Sequence, residues 1–294
     1  MKQLTTLTNC PICDETSFEE VMEVKDNMIT QETFHIQKCS HCGFFFTNPR
    51  PSIDEIGSYY KSEKYISHSS THKGIINKLY NLVRNRTLVQ KRNILEQLTQ
   101  KRTLLDIGCG TGHFLNECKS NGWNITGLEP DEDARNFAET HFSVQPKPIE
   151  ELYQLENNSF DVVTMWHVLE HVYHLNEDVA QIVSLIKKDG FFVIAVPNHE
   201  SWDAQHYGKI WAAYDIPRHL SHFSEKDMIR LIEQFGMSYQ KTLPMKFDSF
   251  YVSMLSEKYQ NGSLLKAVLN GWKSNRAAKN NFGYSSQIYI FKKN

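Results

Sequence analysis

The sequence predicts an α/β fold in which a seven-stranded, mostly parallel sheet follows a small N-terminal ribbon and a helical connector. From residue 103 onward, apolar strand-like segments alternate with helical ones, as in βαβ units. A glycine-rich turn separates the first of these strands from its helix, and two C-x-x-C pairs precede them. We place the ribbon at 1–50, the connector at 51–100 and the sheet domain at 101–294.

The composition narrows the class of protein. The 294 residues are 40% hydrophobic and 22% charged, which is typical of a globular chain with a sizeable core. The net charge of −2 gives no argument for nucleic-acid binding, although the segment from Lys241 onward carries nine Lys and Arg residues against two acids. The N-terminus has no secretory apolar stretch, and no segment approaches about 18 apolar residues in succession, so we expect a cytoplasmic protein without a transmembrane segment.

Two C-x-x-C pairs, CPIC and CSHC, predict a metal site in the ribbon. Each pair can form a tight turn that directs two thiolates at one tetrahedral Zn²⁺; a redox pair or free core thiols are the alternatives. The strand-like segments FEEVMEV and TFHIQKC between the pairs are typical of a zinc ribbon. Four thiolates leave no open coordination position, so the zinc would be structural. The predicted ligands are Cys10, Cys13, Cys39 and Cys42.

The connector is predicted to be helical. The segment FFFTNPRPS brings two prolines close together and forms a rigid exit from the ribbon. The stretch IINKLYNLVRNRTLVQKRNILEQL then has helical spacing of apolar residues. We expect this helix to cover part of the sheet domain.

The sheet domain is predicted to begin with strand TLLDIG, helix GHFLNECKSNG and strand WNITGLEP. Helix DEDARNFAETHF, strands SVQP and FDVVTMWHV, and helix NEDVAQIVSLIKKDG come next. FFVIAVP is the fifth strand, and SEKDMIRLIEQFG is a helix with Ser224 as its N-cap. The last strands, MSYQKTL and SSQIYIFKK, bracket a helical insertion at about 245–280.

The glycine-rich turn LLDIGCGTG predicts a site where a ligand approaches the backbone, because glycines leave main-chain N–H groups accessible. Glu129, at the end of the next strand, can accept hydrogen bonds from both hydroxyls of a ribose, which indicates an adenosine-like ligand. The dinucleotide pattern G-x-G-x-x-G is not present, since residue 113 is His. Asp106 also suits a cationic amino acid better than a pyrophosphate, so these residues favour S-adenosylmethionine over NAD.

The chain resembles the class I S-adenosylmethionine-dependent methyltransferases, and within them a bacterial group, similar to sugar and other small-molecule methyltransferases, that carries an N-terminal zinc-binding ribbon. The resemblance lies in LLDIGCGTG (104–112), GLEPDE (127–132), SFDVVTMWHVLEHV (159–172) and PRHLSHFS (217–224). It implies a seven-stranded Rossmann-like sheet that binds the cofactor's methionine portion at the glycine turn and its ribose at Glu129. Where the family often has an acid for the adenine amino group, this chain has Pro148, and the adjacent Ile149 and Glu150 are substitutes by proximity. The implied cofactor-binding residues are Asp106, Gly108, Gly110, Gly112, Phe114, Glu129, Pro130, Ile149, Glu150, Met165 and Trp166.

Histidines after the predicted fourth strand are the candidates for proton transfer. The sulfonium of the cofactor is already activated, so the protein has to align a nucleophile with the methyl group and remove a proton if the acceptor is a hydroxyl or an acidic carbon. By resemblance to sugar-modifying methyltransferases His171 faces the acceptor, and His219 and His167 are the other candidates. A hydrogen-bonded structural role is the alternative for each. Arg218 could bind an acceptor phosphate or carboxylate through its planar guanidinium.

Three functions are compatible with these motifs. The first is methyl transfer to a small, anionic acceptor such as a nucleotide-linked or phosphorylated sugar, with O-methylation favoured over C-methylation. The second is RNA methylation with the ribbon on nucleic acid, which the excess of acids in residues 1–60 disfavours. The third is a non-catalytic cofactor-binding protein, although the cofactor turn is intact. The basic helix SLLKAVLNGWKSNRAAK could contact a membrane surface, or could be an ordinary solvated helix over the pocket.

Overall fold

The computed structural model of the chain describes residues 3–60, 75–280 and 283–294. It has an α/β architecture, in which a mostly parallel sheet of six strands adjoins an antiparallel sheet of four strands. The part of the predicted connector at 61–74 lies outside the described residues.

The described residues form twelve strands, five of them at 1–51 and seven from residue 103 onward. They are β1 (Leu4–Thr5), β2 (Phe18–Lys25), β3 (Thr33–Cys39), β4 (Phe45–Thr47), β5 (Arg50–Pro51), β6 (Thr103–Ile107), β7 (Asn124–Leu128), β8 (Phe160–Trp166), β9 (Ile186–Pro197), β10 (Ser221–His222), β11 (Met237–Pro244) and β12 (Ser286–Lys293).

The α-helices of the described residues alternate with the strands of the sheet domain. They are α1 (Ile75–Leu98), α2 (His113–Ser120), α3 (Glu132–Phe142), α4 (Leu175–Leu185), α5 (Trp202–Tyr207), α6 (Glu225–Glu233), α7 (Asp248–Tyr259) and α8 (Leu264–Ala277). Short 3₁₀-helices follow β5, α3, β8, α5 and α8. Among the described residues, every helix falls short of the combination of length and hydropathy that a bilayer crossing needs.

The large sheet has the strand order β11-β12-β9-β8-β6-β7. Strands β7, β6, β8 and β9 run parallel, whereas β12 pairs antiparallel with β9 and β11. Because parallel strands end at one edge, Ile107, Leu128 and Trp166 bring the turns that follow them together at that edge. This edge carries the residues that the sequence analysis selects.

Two elements differ from the sequence prediction. The predicted third strand at 143–146 is reduced to one parallel bridge between Leu128 and Lys147, so the sheet has six strands instead of seven. The N–H groups of Ser143 and Val144 donate instead to the carbonyls of Glu139 and Ala138 at the end of α3, at 3.0 Å and 3.3 Å, so this segment completes the helix end and does not extend a ladder. Helix α4 ends at Leu185, and the following residues belong to β9, where fully buried Ile186 pairs with Phe160. Burial of Ile186 in the sheet thus overrides the helical pattern.

The ribbon shares its sheet and its core with the rest of the chain. Its strands have the order β10-β4-β3-β2, so the edge strand β10 comes from the predicted sheet domain. Phe44 of the ribbon packs against Phe223, with ring centroids 5.5 Å apart, and both are buried in one apolar cluster with Met228 of α6. The ribbon therefore packs directly against the sheet domain.

Candidate active site

The glycine turn between β6 and α2 contains one position that leaves room for a ligand. Gly108, Gly110 and Gly112 all have positive φ, at 68°, 54° and 76°. A Cβ on Gly108 would lie 2.4 Å from Val168, and one on Gly112 would lie 2.7 Å from Ala138, so packing excludes side chains there. At Gly110 the same Cβ would meet no atom of the described residues within 4 Å. Gly110 is thus the position where a ligand can approach the backbone.

Glu129 fixes the glycine turn from the end of β7. Its buried carboxylate accepts hydrogen bonds from the N–H of Gly110 at 2.7 Å and from the N–H of Asp131 at 3.0 Å. Burial raises the pKa of this carboxyl above its ordinary value. Each oxygen retains a lone pair, so the carboxylate can also accept the two hydroxyls of a ribose. This arrangement fits the nucleoside of S-adenosylmethionine.

Asp106 is the penultimate residue of β6, beneath the same turn. The hydroxyl of Thr164 donates a hydrogen bond of 2.6 Å to it, and burial raises the pKa of Asp106 to about 7. The ammonium of Lys91, from α1, lies 4.3 Å from the centroid of the Trp166 ring and lowers the pKa of Asp106 by its charge. The Trp166 ring packs edge-on against Phe114 at 5.5 Å. An aromatic face and a buried acid thus create an environment that favours a cation.

The remaining predicted cofactor residues lie near this turn with different exposures. Met165 is buried in the sheet, whereas Pro130 is exposed after β7. Ile149 begins a 3₁₀-helix and packs against the core, and Glu150 is exposed beside it. The N–H of Glu129 donates to the carbonyl of Lys147 at 2.9 Å, which holds this segment next to the ribose-binding candidate. The adenine contact stays a prediction.

His167 follows β8 in a left-handed conformation, with φ of 60°. Its Nε2 lies 3.0 Å from an oxygen of Asp248, and its Nδ1 lies 3.4 Å from Glu170. Burial lowers the pKa of His167, but the two carboxylates outweigh burial and raise this pKa to about 10. A positive φ is unfavourable for histidine, so the surrounding structure, with its two carboxylates, holds His167 in this conformation.

His171 and His219 face each other at the same edge, with perpendicular rings 4.6 Å apart. His171 Nδ1 lies 3.0 Å from the carbonyl of Arg218 and 2.9 Å from the hydroxyl of Tyr60. His219 Nδ1 lies 2.9 Å from the carbonyl of Ala213. Burial and the neighbouring His219 lower the pKa of His171 to about 4, so His171 is neutral. We call His167, Glu170, His171 and His219 the histidine cluster; it contains all three predicted catalytic residues.

Arg218 has a structural role, which contradicts the expectation that it binds the acceptor. It is 1% exposed, and its Nη2 donates hydrogen bonds of 3.0 Å to Asp26 and 2.6 Å to Asp215. A third bond, from Nη1, goes to the carbonyl of Tyr59 at 3.0 Å. The guanidinium is therefore occupied by carboxylates and a carbonyl of the protein itself.

Three residues at this edge are absent from the sequence-based selection. They are Tyr60 and Lys91 of the connector and Asp248 of α7. Asp248 carries a weak signal, since it is one of two acids in the basic C-terminal segment. Tyr60 and Lys91 carry no such signal, because helical spacing alone does not show which face of a connector meets the sheet.

The four cysteines of the ribbon converge on one point. Cys10 and Cys42 have their sulfurs 3.5 Å apart, and Cys13 and Cys39 have theirs 3.6 Å apart. All four sulfurs lie within 4.8 Å of one another, and none forms a disulfide. Sulfurs at about 2.3 Å from a tetrahedral Zn²⁺ are separated by about 3.8 Å, so this geometry fits a Cys₄ zinc site.

Comparison with known proteins agrees with this geometry. The family model of a methyltransferase domain matches residues 80–242, which is more than half of the chain. The ubiquinone biosynthesis O-methyltransferase of Rickettsia typhi is 29% identical over 163 residues, covering 52% of this chain and 65% of that protein. The same enzyme of Bartonella tribocorum is 24% identical over 157 residues, covering 46% and 63%. The chain thus spans less than two thirds of the length of these two relatives.

Solved structures share the fold. A SAM-dependent methyltransferase from Archaeoglobus fulgidus aligns with a TM-score of 0.50 and 25% identity, over 71% of this chain and 94% of that chain. A geranyl diphosphate C-methyltransferase from Streptomyces coelicolor, in complex with S-adenosyl-L-homocysteine, aligns with a TM-score of 0.53 and 13% identity, over 71% and 80%. The second similarity shows the fold alone.

Proposed function

Because the chain belongs to the class I S-adenosylmethionine-dependent methyltransferases, we propose that it transfers the cofactor's methyl group to an oxygen of a small acceptor bound at the histidine cluster. One observation carries this proposal. The carboxylate of Glu129 accepts a hydrogen bond from Gly110, the turn position with free space beside it, at the same sheet edge as the histidine cluster. This edge combines a nucleoside site with groups that can orient and deprotonate an acceptor.

The methyl donor supplies the activated sulfonium, and the chain supplies binding and alignment. Glu129 would hold the ribose, the Gly110 region would face the methionine portion, and Asp106 would pair with its cationic part. Trp166 and Phe114 would pack beside the cofactor. These assignments are consistent with the burial and hydrogen bonds of the carboxylates, which favour a bound cation and bound hydroxyls.

An oxygen acceptor is favoured over carbon. The related proteins from Rickettsia typhi and Bartonella tribocorum are named O-methyltransferases, which supports oxygen as the attacking atom. His171 and His219 remain our candidates for accepting the acceptor's proton. His167, whose pKa is raised to about 10, remains a candidate only as a hydrogen-bond donor that orients the acceptor.

The acceptor is proposed to be anionic, such as a nucleotide-linked or phosphorylated sugar. Arg218 no longer supports this idea, because its guanidinium is bound by Asp26 and Asp215. The support that remains is the excess of Lys and Arg from Lys241 onward, in the segment that includes α7 at the cluster.

The ribbon is proposed to hold one structural Zn²⁺ through Cys10, Cys13, Cys39 and Cys42. Three of these thiols are buried in the same apolar cluster as the ribbon phenylalanines. A bound zinc would replace direct sulfur contacts by four metal bonds and would leave no position for a substrate. Its contribution is therefore to folding.

Methyl transfer can be tested without knowing the acceptor. The purified protein would be incubated with methyl-labelled S-adenosylmethionine and a fractionated bacterial metabolite extract, beside Glu129→Ala and Asp133→Ala. We expect label in an anionic small-molecule fraction with wild type and with Asp133→Ala, whose exposed carboxylate lies in the first turn of α3, four residues after Glu129. Label in RNA instead would favour the alternative function, and no labelled product in any fraction would refute methyl transfer.

A further inference from the structure

We propose that the histidine cluster binds a divalent metal ion through Glu170, His171 and His219, at a site separate from the cysteine ribbon. One ring nitrogen of each histidine and one carboxylate oxygen of Glu170 lie within 4.8 Å of one another. The role of this ion rests on the proposed function, whereas its binding does not.

The carboxylate of Glu170 is the first observation. Glu170 is 1% exposed, and neither of its oxygens accepts a hydrogen bond from any of the described residues. The ring nitrogens within 4.0 Å are His167 Nδ1, at 3.4 Å, and His219 Nε2, at 4.0 Å, and both face Oε1. The His167 imidazolium faces only Oε1, whereas Oε2 has neither a hydrogen bond nor an ion-pair partner among the described residues. A buried carboxylate with an oxygen left without partners is costly, so it points to a further cation.

The orientation of the two imidazoles is the second observation. The Nδ1 atoms of His171 and His219 lie 3.0 Å and 2.9 Å from the carbonyls of Arg218 and Ala213. A carbonyl can only accept, so each Nδ1 carries the proton and each Nε2 keeps a free lone pair. Metal-binding histidines have this arrangement, in which the other ring nitrogen donates to a carbonyl that fixes the ring.

The donor set indicates the kind of ion. Two imidazoles and one carboxylate suit Zn²⁺, Fe²⁺ or Mn²⁺ and leave coordination positions open for a substrate oxygen. His167 is held by Asp248 through Nε2, so it is a neighbour of the site and not part of the three-ligand set. The ribbon site differs, because four thiolates select a softer ion and close its coordination shell.

An ion at this position would act on the acceptor hydroxyl. With the ion bound, His171 and His219 would be its ligands and no longer bases. Coordination would lower the pKa of the acceptor hydroxyl, whose proton passes to solvent. The oxygen lone pair then forms the bond to the methyl carbon while the sulfur–methyl bond breaks, and its electron pair stays on sulfur. The net change converts the alcohol and S-adenosylmethionine into the methyl ether, S-adenosylhomocysteine and one proton.

Mn²⁺ is a suitable probe, because its preference for oxygen and nitrogen ligands keeps it away from the thiolate site. The purified full chain, with its ribbon zinc retained, would be titrated with Mn²⁺ while free Mn²⁺ is followed by electron paramagnetic resonance. We expect one Mn²⁺ per chain and at least tenfold weaker binding in Glu170→Gln and in His219→Ala. Zn²⁺ should displace the bound Mn²⁺.

The matched control is His35→Ala. His35, Glu20 and Glu23 form another group with metal-ligand chemistry, but both of its carboxylates are exposed on β2. Mn²⁺ affinity should be unchanged in this variant, and calorimetry with S-adenosylmethionine should show that each variant is folded.

The possible results distinguish failure of the metal site from failure of the proposed methyl transfer. No Mn²⁺ or Zn²⁺ bound beyond the ribbon zinc, or equal Mn²⁺ affinity in wild type and folded Glu170→Gln, would overturn the metal site. Metal binding without methyl transfer would contradict only the proposed function. Full methyl transfer after a chelator has removed every ion except the ribbon zinc would contradict the ion's catalytic role.

A second inference concerns α8, which exposes its large apolar residues. We infer that this face rests on an anionic membrane surface. Leu265 is 84% exposed and Trp272 is 50% exposed, whereas the inward face consists of small or amide side chains. Gly271 permits this packing, because a Cβ there would lie 2.7 Å from Phe250 of α7. The exposed apolar residues are Leu264, Leu265, Val268, Leu269 and Trp272.

The positive charge in and around α8 indicates what this apolar face contacts. Residues 263–280 contain four Lys and Arg residues and no acid. Apolar side chains flanked by cations complement a surface of acidic lipid headgroups over an apolar interior. A continuous exposed apolar face of this kind marks an interaction site.

Sedimentation with vesicles tests this inference. Vesicles of phosphatidylglycerol and phosphatidylcholine should retain the protein, and vesicles of phosphatidylcholine alone should retain much less. Leu265→Ser and Trp272→Ser should each reduce binding at least severalfold, whereas Lys101→Ser, an exposed residue before β6, should not. Equal binding to both vesicles, no binding at all, or a dimer in ultracentrifugation that Trp272→Ser abolishes would overturn the membrane assignment.

Discussion

The affinity for S-adenosylmethionine should depend on the ionisation of Asp106. The pKa of this buried carboxyl is about 7, because burial outweighs the Thr164 hydrogen bond and the charge of Lys91. A bound sulfonium and ammonium favour the ionised form, and the fraction of protein in that form is about 0.9 at pH 8 and about 0.1 at pH 6. The dissociation constant should therefore be about tenfold larger at pH 6 than at pH 8.

Through Asp106, a rise in pH should strengthen cofactor binding but should lower the stability of the folded chain. Since the pKa of Asp106 is higher in the folded chain than its ordinary value of 3.8, the contribution of Asp106 to stability is fully present below about pH 4. It is lost as the pH rises through about 7. In the absence of cofactor, Asp106→Asn should remove this loss and flatten the pH dependence of the melting temperature.

Calorimetry in two buffers of different ionisation enthalpy measures both the affinity and the proton released. The control is Asp161→Asn, because Asp161 is also buried and also accepts a bond from a threonine hydroxyl, Thr103 at 2.5 Å, but lies at the opposite end of the strands. Asp106→Asn should bind weakly at every pH, while Asp161→Asn should keep the wild-type profile. Equal affinity at pH 6 and pH 8 in wild type, without proton release, would refute the reasoning.

Three further predictions follow from single residues. Glu129→Ala should weaken S-adenosylmethionine binding at least about tenfold, because charge-assisted bonds are worth about 1.5–3 kcal/mol; calorimetry beside Asp133→Ala checks this, and an unchanged affinity in the folded variant would remove Glu129 from the site. Elemental analysis should find one zinc per chain in wild type and none in Cys39→Ser; no zinc in wild type, or one zinc retained in the variant, would contradict the Cys₄ site. Arg218→Met should lower the free energy of unfolding by about 3–5 kcal/mol in urea titrations, because the buried carboxylate of Asp26 and the partly buried one of Asp215 lose their partner. A folded variant of wild-type stability with a raised acceptor KM would restore the binding role.

The sequence was sufficient for features that depend on short segments. The glycine turn, the Ser224 cap and the convergence of two C-x-x-C pairs are each determined within a few residues, and the structure contains all three. Glu129 could also be selected, because the parallel order of β6 and β7 places their ends together.

Long-range partners could not be predicted in this way. The role of Arg218 depends on Asp26, which is 192 residues away in sequence. A planar guanidinium beside two histidines suggests an acceptor site as readily as an internal ion pair, and only the fold brings the carboxylate of Asp26 to it. The same reason explains why Lys91 and Tyr60, both in the connector, were not selected.

The cysteine ribbon contacts the histidine cluster through the backbone of the segment that carries His219. The hydroxyl of Thr47 donates to the carbonyl of His219 at 2.7 Å, and the N–H of Thr47 donates to the carbonyl of Leu220 at 3.0 Å. The N–H of Leu220 in turn donates to the carbonyl of Glu170 at 2.7 Å. Strand β4 thus orients the backbone of His219 and, through Leu220, the turn that carries the buried carboxylate of Glu170.

This linkage gives the ribbon a role that needs no nucleic acid. The β4 edge of the ribbon sheet is paired with β10, so this edge is not free to contact RNA, and residues 1–60 carry nine acids against four Lys and Arg residues. Loss of the zinc would release β4 and with it the position of His219, while Glu129 and Gly110 lie on the separate β6–β7 turns. Loss of the ribbon zinc in Cys39→Ser should therefore reduce methyl transfer far more than it reduces S-adenosylmethionine affinity. Calorimetry on this variant, with Mn²⁺ supplied to the histidine cluster, beside a single-turnover assay, measures the two effects separately. Equal losses of both would show that the ribbon supports the whole fold instead of the histidine cluster.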